Sequence, residues 1–149
     1  MDDTRIKIIS AAIKAVRQYG LEGVRIQKIS ELAGVSPGAL YRYFNGKDQL
    51  MMECFTHIDR QAAAVFEHLK FDPQTMLTDP VGAVRSLWVP YFRFWLARPD
   101  ETVFYHRFRD SAFFPSYDKN RDASYFDTFA GMVRIFLQVF PKLRQINQD

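Results

Sequence analysis

Apolar residues recur at steps of three and four along most of the chain. Ile6, Ile9, Ile13 and Val16 form the first stripe, flanked by Ile8, Ala12 and Tyr19, and this spacing predicts an amphipathic helix of about four turns. Thr4 is placed to cap its start and Gly20 to end it in a left-handed C-cap. A shorter stripe of Ile26, Ile29, Leu32 and Ala33 predicts a second helix over 26–33, stopped by Gly34. Ser36 followed by Pro37 pairs an N-cap with the residue best suited to the first helical position, where its missing N–H costs nothing. A third helix over 37–44 follows, with Leu40 and Phe44, four apart, facing inward as its anchors.

After the Asn45-Gly46 turn, residues 47–70 contain neither proline nor glycine and predict one helix about 35 Å long. Its apolar positions Leu50, Met51, Phe55, Ile58, Ala62, Val65, Phe66 and Leu69 keep helical spacing. Residues 71–80, with Pro73, Asp79 and Pro80, read as a loop. Asp79-Pro80 then opens a helix over 81–97, in which Pro90 predicts a kink. Pro99-Asp100-Glu101 begins another helix to about 110, and 113–118, with Pro115, reads as a loop. Phe126, Phe129, Val133, Phe136 and Phe140 mark a last helix over 122–140, ended by Pro141. No segment alternates like a strand. The expected fold is all-α, with an N-terminal three-helix domain over 1–46 and a helical bundle over 47–149 that begins with the connecting helix 47–70.

Charge and ring content divide the chain near the same place. Residues 1–50 carry eight Lys/Arg and five Asp/Glu, so the whole net charge of +3 lies there, while 51–149 carry twelve of each. Residues 1–70 hold six aromatics and 71–149 hold seventeen. The pattern is that of a small basic head suited to a polyanion and a neutral, aromatic-rich body. One cysteine, Cys54, excludes an internal disulfide framework, and His57, His68 and His106 lack metal-ligand spacing. Cys54 is expected to be a small buried hydrophobe, and the histidines to be surface or packing residues. No nucleophile with a base, paired carboxylates or phosphate loop stands out, so no catalytic residue, metal or cofactor is expected. Without a long apolar run or a signal-peptide pattern at the start, the chain is expected to be soluble and cytoplasmic, without a membrane partner.

The stretch 20–50 carries the chemistry. Two short helices joined by Ala33-Gly34-Val35-Ser36 have the lengths and glycine turn of a helix-turn-helix, a unit that sets its second helix into the DNA major groove. The residue types suit that geometry. Ser36 caps the helix whose free N–H groups favour a phosphate. Gly38 has no side chain to hold the helix off the base edges, and Tyr41, Arg42 and Tyr43 supply donors on the outward face. Lys47 offers a point charge for a phosphate.

At these residues the sequence resembles the TetR family of bacterial transcriptional regulators. The match runs through Gly23, Ile29, Ala33-Gly34-Val35-Ser36, Gly38, Leu40-Tyr41, Phe44, Lys47 and Leu50, about the first third of the chain. The resemblance implies a homodimeric regulator, usually a repressor, that binds double-stranded operator DNA. It implies DNA contacts from Gln27 and Lys28 on the second helix and from Pro37, Tyr41, Tyr43 and Lys47 around the third. It also implies a small-molecule pocket in the helical body and a closing helix pair at the dimer interface, for which this chain has only the nine residues after Phe140. Where the family commonly has a capping Thr, this chain has Arg25, which cannot accept a helix N–H and is a candidate phosphate contact instead.

The ring excess in the body points to an apolar or aromatic effector, with Trp88, Tyr91, Phe92, Trp95, Phe104, Tyr105, Phe108 and Phe129 as candidate lining. The same rings at helical spacing also suit a packed core or a dimer interface. The second function class open to the sequence is a helical protein-interaction module on the same scaffold without operator recognition, and a small-molecule-binding enzyme is a distant third.

Overall fold

The computed structural model describes residues 3–67 and 73–120, together with 131 and 134. Every regular element among the described residues is an α-helix: α1 (Asp3–Gly23), α2 (Ile26–Ala33), α3 (Pro37–Tyr43), α4 (Lys47–Glu67), α5 (Pro73–Thr78), α6 (Pro80–Leu96), α7 (Pro99–Arg109) and α8 (Phe114–Asn120). The all-α expectation holds.

α1 buries Ile8, Ile9, Ala11, Ala12, Ile13, Ala15 and Val16. The alanines on that face let neighbouring helices approach closely, while Ile6 and Tyr19, placed on the stripe by spacing, are exposed. Asp3 is already helical, so Thr4 lies inside the first turn instead of capping it. Gly20 does break the helix, but not as a left-handed cap. Its φ of 74° and ψ of 166° belong to a region open only to glycine, after which the chain makes one more turn to Gly23.

α2 keeps its expected bounds. Gly34 adopts φ 67°, ψ 33°, and its N–H donates to the Glu31 carbonyl at 3.2 Å while Val35 N–H reaches the Ser30 carbonyl at 3.0 Å. This double closure is a Schellman motif, and the left-handed residue it needs is why glycine stands there. Leu32, expected on the buried face, is exposed. α3 begins at Pro37, capped by Ser36 Oγ accepting from Ala39 N–H at 3.1 Å, and stops one residue early because Phe44 is extended.

Two segments expected as loops are helical: α5 occupies most of 71–80, and α8 most of 113–118. In both, the proline that suggests a loop sits in the first turn, Pro73 at the start of α5 and Pro115 second in α8, where no intrahelical N–H is required. Asp79 caps α6 through its carboxylate, which accepts from Gly82 N–H at 2.9 Å. Pro90 lies within α6, which continues as helix on both sides of it. α7 carries Asp100 and Glu101 in its first turn and His106, Arg107 and Arg109 in its last, the charge order that complements a helix dipole. The expected end of the connecting helix at 68–70 lies outside the described residues, as does the last helix over 122–140 except for Gly131 and Arg134, which are helical.

The chain divides into two compact units, Met1–Ile58 with Trp95–Arg121, and Asp59–Phe94 with Asp122–Asp149. In the first, α7 is tied to α1: Arg107 donates to the Val16 carbonyl, and Arg17 pairs with Asp100. A ring layer fills its interior. Phe55 stacks on Tyr105 at 4.6 Å and on Phe108 at 4.7 Å between centroids, with Tyr117 edge-on at 4.9 Å. In the second unit, α6 buries Ala83, Leu87 and Phe94. None of the described helices is long and apolar enough to cross a membrane.

Candidate nucleic-acid interface

α3 has seven residues, too few to be stable in water by itself, so its position depends on what it is packed against. Leu40 is fully buried and Phe44 is 1% exposed, and these two anchor the helix in the core. The opposite face is open. Tyr41 is 55% exposed, and Ser36, Pro37, Gly38 and Arg42 are exposed beside it. A Cβ built on Gly38 would meet nothing within 4 Å. Packing therefore places no demand for glycine there, and the small residue leaves room for another molecule against the start of α3. Tyr43, the last residue of the helix, is half-buried.

Cations surround this face unequally. Arg25 and Arg42 are exposed and have no carboxylate partner among the described residues. Arg25 is the N-cap of α2 in extended conformation, and its side chain makes no capping bond, as its chemistry dictates. Gln27 and Lys28 are exposed on the first turn of α2. Lys28 pairs with Glu31 at 2.8 Å, and the hydrogen bond and charge of Glu31 hold its ammonium above the usual lysine range. Such an exposed pair is weak and yields readily to a phosphate. Lys47 Nζ donates to the Glu22 carbonyl at 3.1 Å, which joins the start of α4 to the end of α1 without neutralising its charge. Arg25, Gln27, Lys28, Ser36, Pro37, Gly38, Tyr41, Arg42, Tyr43 and Lys47 thus all lie on α2, α3, their flanking turns or the first residue of α4.

Sequence reasoning missed a second set of residues at the same place. Arg5 Nη1 donates to the Tyr43 carbonyl at 3.3 Å and Arg5 Nη2 to Glu53 Oε2, while its guanidinium lies 4.7 Å from the Phe44 ring centroid. Gln49 Nε2 donates to Glu53 Oε1 at 3.3 Å and its Oε1 accepts from Asn45 N–H. The partners of Arg5 are 38 and 48 residues away along the chain, so no local periodicity reveals them.

The aromatic candidates for an effector site fall into two groups. Phe104, Tyr105 and Phe108 are buried in the ring layer of the first unit, with Trp95 against Tyr105 at 4.9 Å. Trp88, Tyr91 and Phe92 form a cluster in the second unit, Trp88 meeting Tyr91 at 5.4 Å and stacking on Phe92 at 5.7 Å, with Phe92 54% exposed. Phe129 lies outside the described residues. Cys54 is fully buried, its thiol directed to the Ile9 carbonyl at 3.8 Å, and burial pushes its pKa up, away from a reactive thiolate. His57 is half-buried and desolvation lowers its pKa; His106 is exposed, and His68 lies outside the described residues. Among the described residues no three His, Cys, Asp or Glu side chains gather to hold a metal ion.

The missing cap on α2 has a measurable consequence. Arg25→Ser is expected to raise the unfolding free energy by about 1 kcal/mol, because a serine at an extended N-cap accepts a helix N–H that now has no side-chain partner. Urea unfolding followed by circular dichroism checks this. A variant no more stable than the parent would mean that α2 is satisfied in another way.

Comparison with known proteins agrees with the geometry. Residues 8–54, which hold the whole helix-turn-helix and the start of α4, match the family described as bacterial regulatory proteins, tetR family. The chain is 31% identical over 99 residues to the HTH-type transcriptional repressor NicS of Pseudomonas putida, covering 66% of this chain and 45% of that protein. It is 39% identical over 57 residues to the HTH-type transcriptional regulator BetI of Brucella anthropi, covering 38% of this chain and 29% of that protein. The chain thus spans less than half the length of these relatives. A crystal structure of a TetR family transcription regulator from Marinobacter aquaeolei superposes with a TM-score of 0.70 at 25% identity, over 91% of this chain and 67% of that one. Residues 8–54 thus carry the helix-turn-helix of the TetR family of bacterial regulatory proteins, and the helical fold around it matches that of a TetR family transcription regulator.

Proposed function

We propose that the protein is a cytoplasmic DNA-binding transcriptional regulator of the repressor type, acting as a homodimer on a palindromic operator and answering to a small apolar or aromatic effector. One observation carries the DNA-binding part: α3 presents Tyr41, Arg42 and the open space at Gly38 on one face while Leu40 and Phe44 anchor the other. The head, 1–46, reads DNA, and the body, 47–149, carries effector binding and dimerisation. Tyr41, Arg42 and Tyr43 meet base edges or phosphates, Ser36, Pro37 and Gly38 let the start of α3 approach, and Arg25, Gln27, Lys28 and Lys47 hold the backbone on either side. Two heads related by a twofold axis would enter successive major grooves about 34 Å apart, so the site is expected to read the same on both strands.

Effector control requires only that the effector bind one spacing of the two heads better than another. The partly exposed cluster of Trp88, Tyr91 and Phe92 supports an aromatic or apolar ligand, since each ring offers a flat apolar surface and Tyr91 a polar tip. The repressor reading is supported by the kinship with NicS, itself a transcriptional repressor.

Selection from a random duplex library with the purified full chain tests the reading. An enriched palindrome, shifted as a complex of two chains per duplex, is the expected result. A folded protein that enriches no sequence would overturn operator recognition, and capture of a protein partner by the same preparation would then favour an interaction module.

A further inference from the structure

Eight Lys/Arg lie in the first fifty residues, and each invites assignment to the DNA backbone. We propose that Arg5 is instead a positioning residue that, with Glu53 and Gln49, fixes the C-terminal end of α3 and so sets the angle at which that helix is presented. The inference rests on the DNA-binding reading for its consequence, but its structural content concerns the free protein.

At the end of this seven-residue helix the Leu40 carbonyl accepts from the Phe44 N–H at 3.1 Å, and the carbonyls beyond it have no following helical turn to supply a donor. No glycine or left-handed residue closes α3; its last residue, Tyr43, passes directly into an extended Phe44. Arg5 supplies a donor from another helix, giving one N–H to the Tyr43 carbonyl and placing a cation at the negative end of the α3 dipole. Its plane lies over the Phe44 ring, the apolar anchor of the same turn. The other arm of the fork is held by Glu53, one turn along α4 from Gln49, and Gln49 takes the Asn45 N–H just beyond α3. The contacts close a ring: α1 through Arg5, the end of α3 through Tyr43 and Phe44, the turn through Asn45, and α4 through Gln49 and Glu53.

Two features separate this from a surface ion pair. Arg5 and Glu53 expose only 28% and 26% of their side chains, so both are partly withdrawn from water. The guanidinium meets a carbonyl, a carboxylate and a ring at once, a demand that a planar fork meets and a lysine ammonium does not. A cation engaged in this way has little left to offer a phosphate.

The experiment compares Arg5→Lys, Glu53→Gln and, as a phosphate-contact control, Lys47→Ala in the full chain. The first readout is hydrogen exchange of the free proteins. Amides from 41 to 46 are expected to exchange about tenfold faster in Arg5→Lys and Glu53→Gln, while those of Ile9 to Val16 on α1 stay protected. Unchanged exchange at 41–46, or a loss spread evenly over the head, overturns the proposal. The second readout is affinity for the selected operator as a function of salt. Arg5→Lys and Glu53→Gln are both expected to bind about tenfold more weakly with an unchanged salt slope, whereas Lys47→Ala lowers the slope by about one. If Arg5 is instead a phosphate ligand, Arg5→Lys binds almost normally and Glu53→Gln binds more tightly, and either result overturns the assignment. Should the parent bind no operator, the function reading fails by itself, and the exchange data alone decide on Arg5.

Discussion

Replacing Phe44 by alanine is expected to lower the unfolding free energy by about 3–5 kcal/mol, the range for emptying a buried aromatic site. Three features place the loss toward the top of that range. Phe44 is 1% exposed, so nearly all of its ring is withdrawn from water. It is the residue at which α3 passes into the turn, and a helix of seven residues has only Leu40 besides it as a deeply buried anchor. Its ring also lies under the Arg5 guanidinium, which would be left over a void. Urea unfolding followed by circular dichroism measures the change, and Phe44→Leu, which keeps most of the volume, is expected to lose considerably less. A cost below about 1 kcal/mol for the alanine variant would mean that the head collapses around the gap and that α3 is not anchored here.

α2 and α3 are legible in the sequence because their determinants are local. Gly34, Ser36 and Pro37 each act within four residues of themselves, and the bonds from Gly34 and Val35 back to α2 and from Ala39 to Ser36 are the ones those residue types favour. The inward pair Leu40 and Phe44 follows from the same short-range spacing. The misplacements have equally specific causes. Ile6 and Leu32 keep helical spacing but lie at the margin of their stripes, and only the partner helices decide where a stripe ends. Pro73 and Pro115 suggest loops, yet proline is permitted in a first turn, and that is where α5 and α8 hold them. Arg5, Glu53 and Gln49 are invisible in the sequence because nothing links residue 5 to residue 53 before the helices are packed.

The aromatic excess has two uses that spacing alone does not separate. Phe104 stacks on Phe108, and Phe108 and Tyr105 each stack on Phe55, in a core layer that explains their spacing without a ligand. The cluster of Trp88, Tyr91 and Phe92 keeps ring surface open to solvent, and the effector proposal draws its support from it.

The outward face of α3 gives the clearest functional test. Tyr41→Ala is expected to leave stability within about 0.5 kcal/mol of the parent, since a side chain 55% exposed contributes little to folding. Operator affinity is expected to fall by about 10- to 100-fold, the loss of a specific contact worth roughly 1–3 kcal/mol. Tyrosine is uncharged, so this loss should come without a change in salt slope. Arg42→Ala, one residue on, should instead lower the slope by about one if its guanidinium meets a phosphate. Tyr41→Phe divides the tyrosine further: recovery of affinity assigns the contact to the ring, and continued loss assigns it to the hydroxyl. Melting curves and binding isotherms over a range of salt concentrations, on the same preparations, separate these outcomes. An alanine variant that melts like the parent and binds operator equally well would show that α3 does not enter the groove with this face, and the docking of the whole head would have to be redrawn.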